Sequence, residues 1–189
     1  MQGGMLSYRD RAVKERETGG ADLGAVDIDN IVNMGSTLWT PLYNDNILPG
    51  PVDNAFAYAM PEGITNWTQL QSWGYNETLG YSSQWHNGDG DHTFDLNWDV
   101  KFLPHGTYHG DGEYLAFVSI EPTYFWAAKN IHVTVNVEAP AEPVNLGSYD
   151  DPLAGIEIKM DIWTWYKKQP TGTFYYTWFV QGDGKWEML

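Results

Sequence analysis

The sequence predicts an all-β fold, a single eight-stranded jelly roll built as a two-sheet antiparallel β-sandwich, preceded by a short charged N-terminal arm. Several segments alternate apolar and polar residues with a period of two, and clusters of turn-forming residues separate them. No window of a dozen residues shows the 3.6-residue periodicity of a helix. The chain has 189 residues, which suits one domain. We assign residues 1–24 to the arm and residues 25–189 to the jelly roll.

The clearest strand is predicted over residues 93–103, where every second residue is large and apolar. This alternation is typical of a strand with one buried face and one wet face. Residues 131–137, 156–162 and 174–180 show the same pattern. Weaker strands are predicted over residues 25–34, 37–43, 54–60, 79–86 and 113–120, which brings the total to eight or nine strands.

Turn-forming residues cluster between the predicted strands, and several of these connections are long. Because an up-and-down barrel would have tighter hairpins, this spacing favours the two-sheet jelly roll. Residues 64–73 are ambiguous between a short helix and a loop. The predicted connections are residues 44–51, 87–91, 105–112, 139–152 and 169–172.

The charge composition excludes several classes of function. The chain carries 25 acidic and 10 basic side chains, a formal net charge of -15, and no cysteine. Such a surface argues against nucleic-acid binding, and the absence of cysteine excludes disulfides, thiolate metal sites and cysteine nucleophiles. Concentrated salt screens the repulsion among carboxylates, so the composition favours a halophilic protein over an ordinary acidic mesophilic one.

Positive charge is concentrated in the N-terminal arm, which holds all three arginines of the chain. Arg9, Arg11, Lys14 and Arg16 are predicted to contact a negative surface, either acidic patches of neighbouring subunits or anionic lipid headgroups. No signal peptide and no membrane span are predicted, because the chain has neither an apolar leader segment nor a long apolar run.

Two glycine-rich segments contain residue types that bind metals. In the first, Asp89 and Asp91 lie between His86 and His92, but the fifth ligand position and the closing Glu of a calcium loop are missing. We interpret it as a polar hairpin loop and leave a structural cation near Asp89 and Asp91 as the alternative.

The second glycine-rich segment covers residues 105–113 and lacks the HxH spacing of a cupin metal site. We therefore predict no metal ligand and no cofactor. Its candidate ligands are His105, His109, Asp111 and Glu113.

No catalytic motif is present, whether a GxSxG nucleophile elbow, a phosphate-cradling loop or a dinucleotide fingerprint. We therefore expect a protein that is not an enzyme, with no catalytic residue. Asn66 and Asn76 begin formal N-glycosylation sequons, whose use depends on exposure to the machinery.

Aromatic residues occupy the faces of the last two predicted strands that point away from the core. These residues are Trp163, Trp165, Tyr175 and Phe179. Such rings serve either as platforms for sugars or as buried anchors of protein contacts. We favour the contact interpretation, which predicts that these four side chains are largely buried in an assembled state.

The chain resembles the smaller major capsid protein of the icosahedral, internal-membrane viruses of halophilic archaea. The resemblance rests on the strand pattern of residues 25–189, the acidity, the length and the charged arm. It implies an upright single jelly roll that pairs with copies of itself and with a larger jelly-roll capsid protein in the virion shell, above a lipid bilayer. The alternatives are a carbohydrate-binding β-sandwich of a halophilic extracellular protein and, third, a cupin-like enzyme.

Overall fold

The computed structural model describes residues 26–33, 42–43 and 56–189, and these form eleven β-strands and one turn of 3₁₀ helix (Trp67–Gln69). The strands pair into two antiparallel sheets, so the predicted all-β class and two-sheet sandwich are confirmed. The strands are β1 (Asp27–Val32), β2 (Leu42–Tyr43), β3 (Ala57–Glu62), β4 (Glu77–His86), β5 (His92–Tyr108), β6 (Asp111–Ala127), β7 (Ile131–Glu138), β8 (Val144–Asn145), β9 (Ala154–Tyr166), β10 (Gln169–Gln181) and β11 (Trp186–Met188).

The first sheet has the strand order β1-β3-β6-β5-β4, and the second has β11-β10-β9-β7-β2 with β8 on β9. In the first sheet, β4, β5 and β6 are successive neighbours and β3 lies beside β6, which is the order of a Greek key. In the second sheet, β9, β10 and β11 form a meander. The described strands thus contain one Greek key, whereas a jelly roll combines two.

The structure adds two strands to the nine predicted segments, because β8 and β11 have only two and three residues, too short for a periodic pattern. Two hairpins are also tighter than predicted. The 17-residue strands β5 and β6 join through His109 and Gly110, with φ of 53° and 93°, and β9 joins β10 through Lys167 and Lys168. Positive φ at both turn residues matches the right-handed twist of the paired strands, so the strands run to the turn itself.

The hydrophobic core lies between the two sheets. In β5, Phe94, Leu96 and Trp98 are buried, as their alternation predicts. From the second sheet, Phe174 of β10 packs against Phe94 and Trp178 of β10 packs against Trp98, with ring centroids 6.2 and 6.4 Å apart. Burying each such side chain stabilises the fold by about 1.5 to 3 kcal/mol. The periodic segments of the sequence are therefore the segments that hold the sandwich together.

At one end of the sandwich, main-chain hydrogen bonds join the two sheets. The Glu113 N–H of β6 donates to the Pro152 carbonyl just before β9, at 2.8 Å, and the His105 N–H of β5 donates to the Gly182 carbonyl just after β10, also at 2.8 Å. A side chain at Gly182 would collide with the Glu113 carbonyl oxygen, so only glycine permits this approach. We call this the closed end.

The outer face of the first sheet is partly covered by the segment that carries the 3₁₀ helix. Rings of this segment and of the neighbouring strands form an edge-to-face cluster, with Trp67 at 5.2 Å from Phe117 and 6.1 Å from Trp73. The ambiguous residues 64–73 are thus a loop with one turn of 3₁₀ helix, capped by Asn66. No helix within the described ranges is long and apolar enough to span a lipid bilayer.

Candidate functional site

The predicted contact residues of the arm, Arg9, Arg11, Lys14 and Arg16, lie outside the described residues, as does the rest of 1–24. Their contacts stay a prediction. Among the residues that the structure describes, the lysines are therefore the permanent cations.

The other four predicted contact residues share one surface, the outer face of the second sheet. Strand pairing places Trp163 of β9 opposite Thr173 of β10, and Tyr175 opposite Asp161. Trp165 lies two residues along β9 on the same face. Phe179 lies further along β10, opposite Glu157. We call Trp163, Trp165, Tyr175 and Phe179 the outer aromatic face.

Exposure differs among the members of the outer aromatic face in the single chain. Tyr175 is 63% exposed, while Trp163, Trp165 and Phe179 are half-buried. Phe179 packs over the main chain at Gly155. Their burial in an assembled state stays a prediction, and the single chain leaves aromatic surface available for a partner.

Asp161 is a buried carboxylate in the middle of this face, with only 6% of the residue exposed. Lys159 Nζ lies 3.1 Å from Oδ1 and 3.1 Å from Oδ2, and its geometry makes a hydrogen bond to Oδ2 alone. This hydrogen bond, with the negative charge of Asp161 and Glu138, raises the pKa of Lys159. Lys159 Nζ also lies 5.3 Å from the centre of the Tyr175 ring.

Thr134 of β7 adds a second buried polar group to this face, directly opposite Trp163. Its Oγ1 has no hydrogen-bond partner within the described residues, and neither has Asp161 Oδ1. Buried polar atoms in native proteins rarely lack partners. The outer face of the second sheet is thus unlike an ordinary wet strand face, which is polar and exposed.

A cavity of about 580 Å³ opens between the sheets at the end opposite the closed end. Its floor is aromatic: the Trp85 and Phe94 rings stack with centroids 4.1 Å apart, and Phe174 lies 5.5 Å from Trp85. Polar side chains line its rim, namely His86, Asp91, His92, Lys129, Tyr166 and Thr171. The alternating pattern predicts these aromatic residues as core, and nothing in it indicates that this end stays open.

The first glycine-rich segment is the β4–β5 hairpin loop at the rim of this cavity. Asn87 organises it: the Asn87 Oδ1 accepts hydrogen bonds from the N–H groups of Asp89 and Asp91, at 3.0 and 2.8 Å. Asp91 Oδ2 accepts one from the Asn87 amide, at 3.1 Å. The described residues contain no group of three His, Asp or Glu side chains placed to hold a metal ion.

The second glycine-rich segment is divided between the end of β5 and the start of β6. His105 Nδ1 lies 3.5 Å from Glu113 Oε1, while His109 occupies the hairpin turn. At the opposite end of β5, next to the first glycine-rich segment, His92 forms a shorter pair with Asp95, at 2.6 Å. The His92 ring also stacks on Trp126.

The two sequons differ in their surroundings. Asn66 uses its side chain as a cap, with Oδ1 accepting from the Thr68 N–H and hydroxyl groups, each at 3.0 Å. Asn76 is exposed immediately before β4. Of the two, Asn76 therefore offers its amide without breaking a capping interaction.

No protein-family model, no curated protein and no solved structure matches the chain.

Proposed function

We propose that the chain is a structural capsid protein that builds the icosahedral shell of a halophilic archaeal virus. In this proposal it forms homodimeric capsomers and heterodimeric capsomers with a larger jelly-roll capsid protein, and it has no catalytic activity. The jelly-roll topology, the place in the virion and the nearness of an internal membrane belong to the same proposal. The sequence resemblance and the outer aromatic face support it.

The outer aromatic face is the observation that carries the proposal. A sheet whose inner face already fills the core has no need of large rings on its other face, yet Trp163, Trp165 and Tyr175 lie there. Tyr and Trp are the residue types that most often anchor protein contacts. A shell subunit needs such a face on each copy, because every subunit must bury surface against its neighbours.

The acidity of the chain supports the halophilic part of the proposal. The net charge of -15 opposes association between copies in dilute buffer, since like charges repel across every contact. At about 1 M salt the Debye length is about 3 Å, which restricts this repulsion to close pairs. Aromatic contacts then determine whether copies associate.

The test is assembly of the purified chain in molar salt, measured by sedimentation velocity and electron microscopy. The double variant Trp163→Thr/Tyr175→Thr is expected to weaken association at least tenfold, because it removes two rings from the proposed contact. The matched control is Tyr124→Thr, which removes an exposed ring from the first sheet. Association of the double variant at the level of the unchanged protein would contradict the proposal, provided that circular dichroism shows both variants folded.

The open-end cavity favours a second candidate function, carbohydrate binding. Its aromatic floor suits the apolar face of a sugar ring, and the carboxylate, imidazole and hydroxyl groups of its rim suit the ring hydroxyls. Titration of soluble oligosaccharides followed by Trp fluorescence tests this candidate, with Phe174→Leu as the floor variant. Saturable binding that Phe174→Leu abolishes would favour the carbohydrate-binding module over the capsid protein.

A further inference from the structure

Four strands end the strand orders of the described sheets, β1 and β4 in the first sheet and β2 and β11 in the second, and the two-residue β8 pairs with β9 alone. An edge strand presents unpaired N–H and C=O groups that can pair with another chain. Proteins prevent this with short strands, bulges, prolines and charges. The four edges of this sandwich differ in how far they are protected.

Three of the edges carry such protection. β1 contains a register shift between Asp27 and Ile31, and it carries carboxylates at Asp27 and Asp29. β2 has two residues. β11 has three residues and carries Glu187.

The fourth edge, β4, carries none of these devices over most of its length. It has ten residues and pairs with β5 in unbroken register from Glu77 opposite Phe102 to Trp85 opposite Phe94. Residues 78–88 contain no Asp, Glu, Lys, Arg or Pro. In a chain with 35 charged residues among 189, this is a long uncharged stretch on a flat edge.

We propose that β4 pairs antiparallel with β4 of a second copy, joining two five-stranded sheets into one continuous sheet. The occupant is a second copy because the charge pattern selects it. A chain of net charge -15 repels its own copies over most of its surface, and the uncharged edge is where two copies approach at least electrostatic cost.

The alternation of side chains restricts the register of this pairing. Tyr81 and Trp85 face the core, while Gly80, Ser82 and Gln84 are exposed on the outer face. Since a slip of one residue would turn core residues outward, only registers that place like faces together are allowed.

A two-fold axis at Ser82 satisfies this restriction and keeps the whole ladder within the uncharged stretch. Ser82 then faces Ser82 of the second copy, Thr78 faces His86, and the carboxylate of Glu77 lies beyond the paired residues. An axis at Tyr81 would instead place Glu77 opposite the buried Trp85. The small side chains at Gly80 and Ser82 also leave the outer face free of steric hindrance at the axis.

This inference deepens the proposed function by naming a surface through which two copies meet. It rests on that function only because both require copies of the chain to associate. The β4 pairing uses a different surface from the outer aromatic face. It also gives the contact a defined symmetry, since a two-fold pairing closes after two copies.

The experiment exploits the absence of native cysteine. Ser82→Cys is oxidised mildly in molar salt, and a disulfide-linked dimer of twice the 21.4 kDa chain mass is measured by non-reducing electrophoresis. Cross-strand pairs bring Cα atoms to about 4.5 to 5.5 Å, within the range that a disulfide spans. We expect most of the Ser82→Cys chain to be linked.

Two control variants make the result specific. Gln84→Cys lies on the same edge and face, but it would face Gly80 of the second copy, so it should link at least fivefold less. Thr123→Cys is exposed on β6, two strands from the edge, and should not link. Equal linking of all three variants would overturn the proposal, as would preferential linking of Gln84→Cys.

A second variant tests the pairing without oxidation. Ser82→Lys places two like charges at the axis and should shift the dimer to monomer in sedimentation equilibrium, whereas Thr123→Lys should not. An unchanged protein that is monomeric in molar salt overturns the proposal. If its β4 amides are nevertheless protected from hydrogen exchange at every concentration, a segment of the same chain covers the edge.

The outcomes separate this inference from the proposed function. Dimers linked through Ser82→Cys that form no larger assemblies would contradict the capsid function and support the edge pairing. Assemblies in which Ser82→Cys does not link would contradict the edge pairing alone.

Discussion

The Tyr114 hydroxyl donates a hydrogen bond of 2.8 Å to the main-chain carbonyl of Ile28, and this bond joins β6 to β1 inside the core. Tyr81, in contrast, has a buried hydroxyl with no hydrogen-bond partner within the described residues. A comparison of the two tyrosines therefore measures how much a buried hydrogen bond contributes to the free energy of unfolding.

Removing the two hydroxyl groups should have opposite effects on stability. Tyr114→Phe leaves the Ile28 carbonyl unpaired and should lower the free energy of unfolding by about 1 to 3 kcal/mol. Tyr81→Phe removes an unpaired polar group and should be neutral or slightly stabilising. Urea denaturation measures both. A comparable loss in the two variants would show that the Tyr81 hydroxyl has a bridging water as its partner.

Lys159→Met should destabilise the fold because it leaves the buried carboxylate of Asp161 without its cation. We expect a loss of about 1 kcal/mol rather than more, since the Lys159 side chain is 29% exposed and solvent weakens the pair. Urea denaturation at pH 7 measures this loss in the free energy of unfolding. The control is Lys129→Met, which removes an exposed lysine from the turn between β6 and β7.

The same pair predicts a dependence on alkaline pH. A raised pKa of Lys159 in the folded state means that the contribution to stability is complete below the ordinary value of 10.5 and is lost as the pH rises through the folded-state pKa. The difference between the unchanged chain and Lys159→Met should therefore stay constant from pH 7 to 9 and shrink above pH 10.5. A difference that persists at higher pH would contradict this assignment.

Asp183 predicts a dependence at the acid end. Burial acts to raise the pKa of Asp183, but the hydrogen bonds from the side chain and main chain of Lys185 outweigh it, so the pKa is lowered. Its contribution is therefore complete above the ordinary value of 3.8 and is lost as the pH falls through the lowered pKa. Asp183→Asn should be less stable than the unchanged chain at pH 7, and the two should converge in acid denaturation below pH 3.8.

Salt should control both association and stability. Dilution from molar salt to a few millimolar, without divalent ions, should dissociate assemblies and lower the unfolding temperature, because 25 carboxylates repel once screening is lost. Light scattering and calorimetry over a salt series measure the two effects. Assemblies that persist unchanged across the series would show the halophilic interpretation to be wrong.

Deleting residues 1–17 should impair assembly without unfolding the sandwich. The deleted part contains Arg9, Arg11, Lys14 and Arg16, while β1, the first described strand, begins at Asp27. Circular dichroism and sedimentation velocity separate the two effects. Normal assemblies would show the arm to be dispensable, and loss of folding would show that the domain begins before residue 25.

The sequence predicts the parts of this fold in which side-chain alternation is long. In β5, Phe94, Leu96 and Trp98 alternate with polar residues, and the burial of these three follows from local pattern alone. The Greek key in the first sheet does not follow from local pattern, because the position of β3 beside β6 depends on contacts between residues far apart in the chain. The tight turn at Lys167 and Lys168 does not follow from local pattern either, since neither residue favours positive φ.

For the candidate surfaces, too, the sequence predicts some features and does not reveal others. Strand periodicity places Trp163 and Tyr175 on one outer face, as predicted. It does not reveal that Asp161 is buried on that same face, nor that Trp85, Phe94 and Phe174 form the floor of an open cavity. Both features depend on how the ends and faces of the sheets are covered, and a period-two pattern carries no information about that.

The closed end has a mechanical consequence. Main-chain hydrogen bonds at Glu113 and His105 fasten the sheets together there, whereas around the cavity the chain itself crosses between the sheets, from β6 to β7 through residues 128–130. The Asn130 carbonyl of this crossing also accepts a hydrogen bond from the Lys167 N–H of the second sheet, at 3.2 Å. The two ends are therefore joined by different kinds of link. A force that pulls the sheets apart can be released at the closed end by breaking hydrogen bonds, whereas at the cavity end the covalent crossing keeps the sheets tethered.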